Sequence, residues 1–173
     1  ARGQNAGNRP VTGATIEQTE VVPEGEFTTS IFEHYQPQRL KVEGSKDHPG
    51  ALVQSAAMAA VLPPPVTYTP NLPKEVITKG MLSLAQIEAV VYAGQAHSEM
   101  LPDGTRRGFM IGDGTGVGKG REISGIILDN FRQGRTKAIW LSAKQGLIED
   151  AKRDFSGVSG NPDALVPGKV AAV

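Results

Sequence analysis

The sequence contains no cysteine, which excludes a disulfide framework, a thiolate zinc site and a cysteine nucleophile together. It has no net charge either. Its 18 Lys and Arg balance 18 Asp and Glu, so no overall field attracts nucleic acid and any such contact must come from a local patch. No apolar run approaches the roughly 20 residues needed to cross a bilayer, and the N-terminus lacks the basic-then-apolar form of a signal peptide. A soluble, intracellular protein with no membrane partner is expected. The three histidines, His34, His48 and His97, lack the spacing of a metal site. The 173 residues suffice for one domain with a core but not for a two-lobed motor. The first residue is Ala1 rather than Met, so the chain is expected to be processed or cut from something longer.

Glycine, by contrast, is concentrated in one place. Residues 107–131 read R-G-F-M-I-G-D-G-T-G-V-G-K-G-R-E-I-S-G-I-I-L-D-N-F, a short apolar run, then glycines at 112, 114, 116, 118 and 120 around Lys119, then a helical pattern. A glycine loop that opens a helix and ends in one lysine is suited to wrapping phosphates, because backbone N–H groups and the helix N-terminus converge on the anion. Against the general form G-x-x-x-x-G-K-[ST], Gly118 and Lys119 fit, whereas Asp113 stands at the first glycine and Gly120 at the final hydroxyl residue. Gly116, Val117, Gly118 and Lys119 form the preserved part, with Lys119 expected against the β and γ phosphates. Without a hydroxyl at 120, Mg²⁺ must be held by water, by another residue such as Thr115, or by a later motif. Asp113 places an anion near anions, which requires Mg²⁺ or a cation such as Arg121 or Arg106, unless its role is only to order the loop. The plain alternative is a glycine-rich turn with an exposed lysine.

The rest of the chain supplies context. Residues 1–30 are rich in Gly, Asn, Thr, Gln, Glu and Pro, and are expected to be a linker or disordered arm. Residues 31–75 are expected to form an N-terminal extension. In it, Phe32, Tyr35 and Leu40 anchor a docking segment, 48–61 has helix formers with Leu52, Val53, Ala56, Ala57 and Ala60 on one stripe, and Pro63 to Pro65 begin a polyproline-like connector. Residues 83–96 read as a helix, with Leu84, Ile87, Val90 and Val91 in a stripe and Ser83 with Gln86 as a capping box. Turn chemistry at 102–104 leads to a strand at 108–111. After the loop, Ile123, Ile126, Ile127 and Phe131 repeat at helical spacing up to a C-cap at Gly134. A buried strand at 138–141 and a helix marked by Leu147, Ile148, Ala151 and Phe155 complete a βαβα unit, which implies a parallel sheet, and 169–173 suits a further strand.

Three further candidates have ordinary explanations beside the chemical one. Gln86 has an amide able to read an adenine edge, yet the capping box also accounts for it. Asp129 ends an apolar run as a magnesium-binding aspartate would, but it falls inside the helix after the loop and reads as a solvated helix residue. Lys144, Lys152 and Arg153 could touch a phosphate backbone or simply solvate a helix face.

With these motifs placed, the chain resembles the N-terminal part of the Strawberry notch family's P-loop module, within helicase superfamily two. The resemblance rests on H-P-G-A-L-V-Q-S-A-A-M-A-A-V-L-P-P-P from His48, L-S-L-A-Q-I-E-A-V-V-Y-A-G-Q-A-H from Leu82, L-P-D-G-T-R-R-G-F-M-I-G-D-G-T-G-V-G-K-G-R from Leu101, and G-R-T-K-A-I-W-L-S with D-A-K-R-D-F from Gly134. E-H-Y at Glu33 joins them. It covers roughly residues 31–155, and within it Gly120 is the expected residue. The resemblance implies an α/β fold: 76–173 would be the first part of a RecA-like P-loop lobe, with parallel strands and flanking helices, preceded by the irregular extension. It implies ATP and Mg²⁺ as cofactors, and Gln86 in an adenine-sensing motif. The binding set would be Asp113, Gly114, Thr115, Gly116, Val117, Gly118, Lys119, Gly120 and Arg121, with Lys119 catalytic. The strand ending at Ser142 would meet a nucleic-acid backbone, most naturally DNA, and a fused methyltransferase domain accompanies some bacterial and phage members. The compartment would be cytoplasmic for a bacterial or phage protein and nuclear for an animal one. No Asp-Glu strand follows the loop and no second lobe is present, so the expectation is a fragment that binds ATP without hydrolysing it alone. A structural or docking piece with a vestigial loop is the contrasting reading, and a small-molecule kinase is disfavoured because no acceptor-site residues are evident.

Overall fold

Leu84–His97 (helix α3) is the element on which the rest is assembled, and its start is fixed by local chemistry. The Ser83 hydroxyl accepts from the Gln86 N–H at 3.4 Å and the Gln86 side chain accepts from the Ser83 N–H at 3.0 Å, so the capping box is complete. Ile87, Val90, Val91 and Ala93 are fully buried, and the edge residues Gln86 and Glu88 are nearly so. A helix enclosed on so many sides has neighbours on more than one face.

The computed structural model describes residues 16–18, 31–144 and 146–160. Before α3 come β1 (Ile16–Gln18), β2 (Phe32–His34), β3 (Leu40–Val42), β4 (Val53–Ser55), α1 (Ala56–Ala59) and α2 (Lys74–Thr78). After it come α4 (Lys119–Arg132) and α5 (Leu147–Ser159). β1 pairs antiparallel with β3, in the register Ile16 to Val42, and β2 pairs antiparallel with β4, Phe32 to Ser55. A three-residue strand therefore lies within the stretch expected as a linker. The remainder of 1–30, and the strand expected at 169–173, fall outside the described residues.

The core gathers Leu40 and Val42 from β3, Val66 and Leu72 from the connector, Val76 and Ile77 from α2, Leu82, the α3 face, Leu128 of α4 and Val158 of α5. Helix α4 packs closely on α3 because residue 125 is glycine. A Cβ there would come within 2.7 Å of Val90 Cγ2 and 2.9 Å of Leu82 Cδ1. The proline-rich connector has no helix or strand between 62 and 73 and is tied to α3, with Tyr92 donating to the Pro64 carbonyl at 2.9 Å and Gln95 bonded to both Pro65 and Thr67. Helix α4 ends at Arg132 with Gly134 at φ 86° behind it, as the C-cap reading required.

One expectation is corrected, and another is not met among the described residues. The stripe at 48–61 does not form one helix: Val53–Ser55 is strand, and only Ala56–Ala59 turns helically, capped by the Ser55 hydroxyl. Pairing with β2 outcompetes helix propensity, which is weak over so short a stretch. The apolar repeat of α4 is only partly buried: Ile126 packs against the core and Phe131 is exposed, while the buried positions are Glu122, Ser124, Gly125, Leu128 and Asp129. Finally, neither 108–111 nor 138–141 joins a ladder among the described residues, where both sheets are antiparallel pairs of the N-terminal part. Ile139 and Leu141 are 88% and 84% exposed, the opposite of a buried parallel strand. A ladder requires a second backbone within hydrogen-bond reach, and no described strand pairs with these two. No described helix is long and apolar enough to cross a membrane.

Candidate nucleotide-binding site

The glycine loop leads directly into α4, and the junction is built around Gly118. Gly118 is the N-cap at φ 91°, a left-handed conformation that a side chain disfavours, and its carbonyl accepts from the Arg121 and Glu122 N–H groups at 2.8 and 3.2 Å. The Lys119 ammonium turns back over the loop, donating to the carbonyls of Asp113 at 2.9 Å and Gly114 at 3.0 Å. Those bonds hold the cation at the turn while Gly112, Gly114, Thr115 and Gly116 remain exposed. Exposed backbone N–H groups, a helix N-terminus and a fixed ammonium together make an anion-binding surface.

Gln86 completes the cap that the sequence offered and also reaches the loop. Its Oε1 completes the capping box, and its Nε2 donates to the Val117 carbonyl at 2.8 Å, so it ties the start of α3 to the loop. The approach is close enough that a Cβ at 118 would stand 2.5 Å from Nε2. These two bonds leave one amide proton for any further partner.

Neither arginine expected beside Asp113 is bonded to it. Arg121 donates to the Met81 carbonyl at 2.8 Å and lies along Gly157 of α5, and Arg106 donates to the His97 carbonyl. What stands beside Asp113 is Glu122, whose side chain is 1% exposed and whose Oε2 has no hydrogen-bond partner. Burial, then Asp113, push the Glu122 carboxyl up to about 8 against the opposing pull of Lys119, so it is largely protonated at neutral pH. A neutral acid beside Asp113 avoids the repulsion that two carboxylates would suffer. Glu88 is buried nearby and accepts from the Tyr35 hydroxyl of the extension; burial is also the main cause of its raised pKa, with Asp113 adding to it and the Tyr35 bond opposing it. A cleft of ≈ 760 Å³ connects these groups, lined by Tyr35, Glu88, Tyr92, Phe109 and loop residues 111–117, and its size suits a nucleotide-sized ligand.

Asp129 is the clearest correction. It is 1% exposed and accepts from the Tyr68 hydroxyl at 2.6 Å, the Asn71 N–H at 2.6 Å and the Gln133 amide at 2.7 Å. It anchors the connector to α4 and is not solvated, because its partners come from 58 and 61 residues away. Burial and the bond to Asp129 raise the Tyr68 phenol to about 12. Lys152 and Arg153 pair with Glu149 and Asp150 of their own helix on its exposed side. Sequence reading missed the part that Tyr35, Glu88 and Glu122 take in the site. The one available signal was a carboxylate, Glu88, four residues after Leu84 on an otherwise apolar helix face.

Loop, lysine and following helix define a phosphate-binding loop of the NTP-hydrolase type, and residues 47–171 match the family described as P-loop containing NTP hydrolase pore-1. The chain belongs to that family. It is 46% identical over 142 residues to Protein strawberry notch of Drosophila melanogaster, a match covering 82% of this chain and 8% of that protein. It is 44% identical over 130 residues to Protein strawberry notch homolog 2 of Homo sapiens, covering 75% and 9%. With Protein FORGETTER 1 of Arabidopsis thaliana the identity is 41% over 148 residues, covering 86% and 11%. The chain thus spans a small fraction of the length of the relatives it matches. No solved structure matches it.

Proposed function

We propose that this chain is the ATP-binding segment of a superfamily-two helicase or translocase ATPase that acts on DNA. The observation that carries the reading is the Gly118–Lys119 junction, where a left-handed glycine opens α4 and the lysine ammonium is fixed over an exposed glycine loop. Membership in an NTP-hydrolase family supports it. In this reading Lys119 and the N–H groups of 113–120 hold the phosphates of ATP, with Mg²⁺ neutralising them. The nucleotide's remaining parts lie along the cleft toward Tyr35 and Tyr92, where Gln86 offers its remaining amide proton to the base. Segments 108–111 and 138–141 are the strands of a RecA-like parallel sheet whose neighbouring strands come from other residues, which accounts for the exposed Ile139 and Leu141. In this reading the segment ending at Ser142 meets the nucleic-acid backbone.

The test is Lys119→Ala in the intact protein. Loss of one phosphate-binding cation is expected to lower ATP turnover about 100-fold or more, the scale seen when a single charge-stabilising donor is removed. Turnover at the wild-type rate would contradict the proposal.

A further inference from the structure

Gly120 stands where the general phosphate loop carries a hydroxyl, and the structure shows what fills that space. A Cβ placed on Gly120 would overlap the Oδ2 atom of Asp154 and come within 3.0 Å of its Cγ and 3.4 Å of its Cβ. Asp154 sits on α5, whose packing against α4 brings it there, and it is the other oxygen, Oδ1, that accepts a hydrogen bond from the Arg153 guanidinium at 3.4 Å. A carboxylate oxygen from another helix therefore lies where a Ser or Thr side chain at 120 would begin.

We infer that Asp154 supplies, from α5, the protein oxygen that the missing hydroxyl at 120 would otherwise give to the Mg²⁺ of a bound nucleoside triphosphate. The inference rests on the nucleotide reading of the loop and adds to it the side chain that holds the ion. Chemically the exchange is favourable for the metal, because a hard divalent cation prefers a charged oxygen. It also accounts for glycine at 120: any side chain there would displace the carboxylate. Thr115, the other candidate, lies on the exposed turn of the loop. No three acidic or imidazole groups gather around an ion among the described residues. One protein carboxylate, phosphate oxygens and waters is the set Mg²⁺ ordinarily accepts at a nucleotide site. Asp154 would repel the phosphates unless a cation stood between them, so its position makes nucleotide binding depend on the metal.

The experiment measures binding of a fluorescent ATP analogue to the intact protein in Mg²⁺ and in EDTA, with Mn²⁺ electron paramagnetic resonance reporting the ion directly. Asp154→Asn is expected to weaken binding in Mg²⁺ about 10-fold or more, the scale of losing a group that supports a metal. Binding in EDTA should hold or tighten. The double variant Gly120→Ser with Asp154→Ala should recover most of the Mg²⁺-dependent affinity and the bound Mn²⁺ signal, since it returns a hydroxyl to the vacated space. Equal losses in Mg²⁺ and EDTA, or a double variant no better than Asp154→Ala alone, would overturn the assignment and leave Asp154 as a packing residue between α4 and α5. A wild-type protein that binds no nucleotide in either buffer would instead overturn the nucleotide reading, and this inference with it.

Discussion

Asp129 closes an Ile-Ile-Leu-Asp run that suggests a magnesium ligand, and its real task is mechanical. Its carboxylate receives three hydrogen bonds in a buried position, two of them from the connector at Tyr68 and Asn71. Bonds to a charged acceptor contribute about 1.5–3 kcal/mol each, and truncating the acceptor leaves buried donors unpaired. Asp129→Ala is therefore expected to destabilise the fold by about 3 kcal/mol in urea titration; a change under about 0.5 kcal/mol, typical of solvated positions, would restore the surface reading. His97 gives a second prediction at this scale. Burial, then Arg106 and Arg135, hold its pKa below the usual 6.5, with Asp129 opposing them. The unfolded chain therefore takes up the proton first as pH falls. Stability from neutral His97 is full above about pH 6.5 and is lost as pH drops through the lowered folded value. The melting temperature should accordingly fall less between pH 7.5 and 5 in His97→Gln than in wild type, and equal declines would refute it.

At the scale of elements, the coupling of α3 to the loop and α4 is the central arrangement. Gln86 is at once part of the α3 capping box and a donor to Val117, and Gly118 must be glycine for two reasons, its φ of 91° and the nearby Nε2. Gly118→Ala is expected to cost about 1–2 kcal/mol from the left-handed conformation alone, and to weaken ATP binding because the loop must shift from Gln86. Gln86→Ala should weaken binding while changing global stability less; unaltered affinity in both variants would separate the loop from α3.

How much was legible follows the range of the interactions. The α3 boundaries, the Ser83–Gln86 box, the loop opening α4 and the Gly134 cap are local and could be read from spacing. The β2–β4 ladder replaced an expected helix because its partner lies about 20 residues upstream. The Asp129–Tyr68 and Glu88–Tyr35 contacts join residues more than 50 apart, and no periodicity encodes them. Asp154 beside Gly120 is of the same kind: the glycine was visible, but what occupied its space was on another helix.

For the whole molecule, the described residues divide into a packed centre and two apolar segments left outside it. The centre is α3 with β3, the connector, α2, α4 and α5, and it owes its close packing to Gly125 between Leu82 and Val90. Segments 108–111 and 138–141 flank the loop and α4, with Met110, Ile139 and Leu141 largely exposed. In this 173-residue chain, replacing Ile139 and Leu141 with lysine should alter stability by no more than about 0.5 kcal/mol per site, as measured by denaturant unfolding. In a longer protein where they are strands of a parallel sheet, the same pair should cost several times more. A comparable small effect in both would count against the RecA-like arrangement.

The central claim is that residues 112–121 bind a nucleoside triphosphate, and hydrogen exchange of those amides in the intact protein, with and without ATP and Mg²⁺, tests it most directly. The account predicts strong protection across the loop and the first turn of α4 with ATP and Mg²⁺, and none of it in Lys119→Ala. Exchange rates unchanged by saturating ATP and Mg²⁺ in the wild-type protein would contradict it and leave the loop a structural turn.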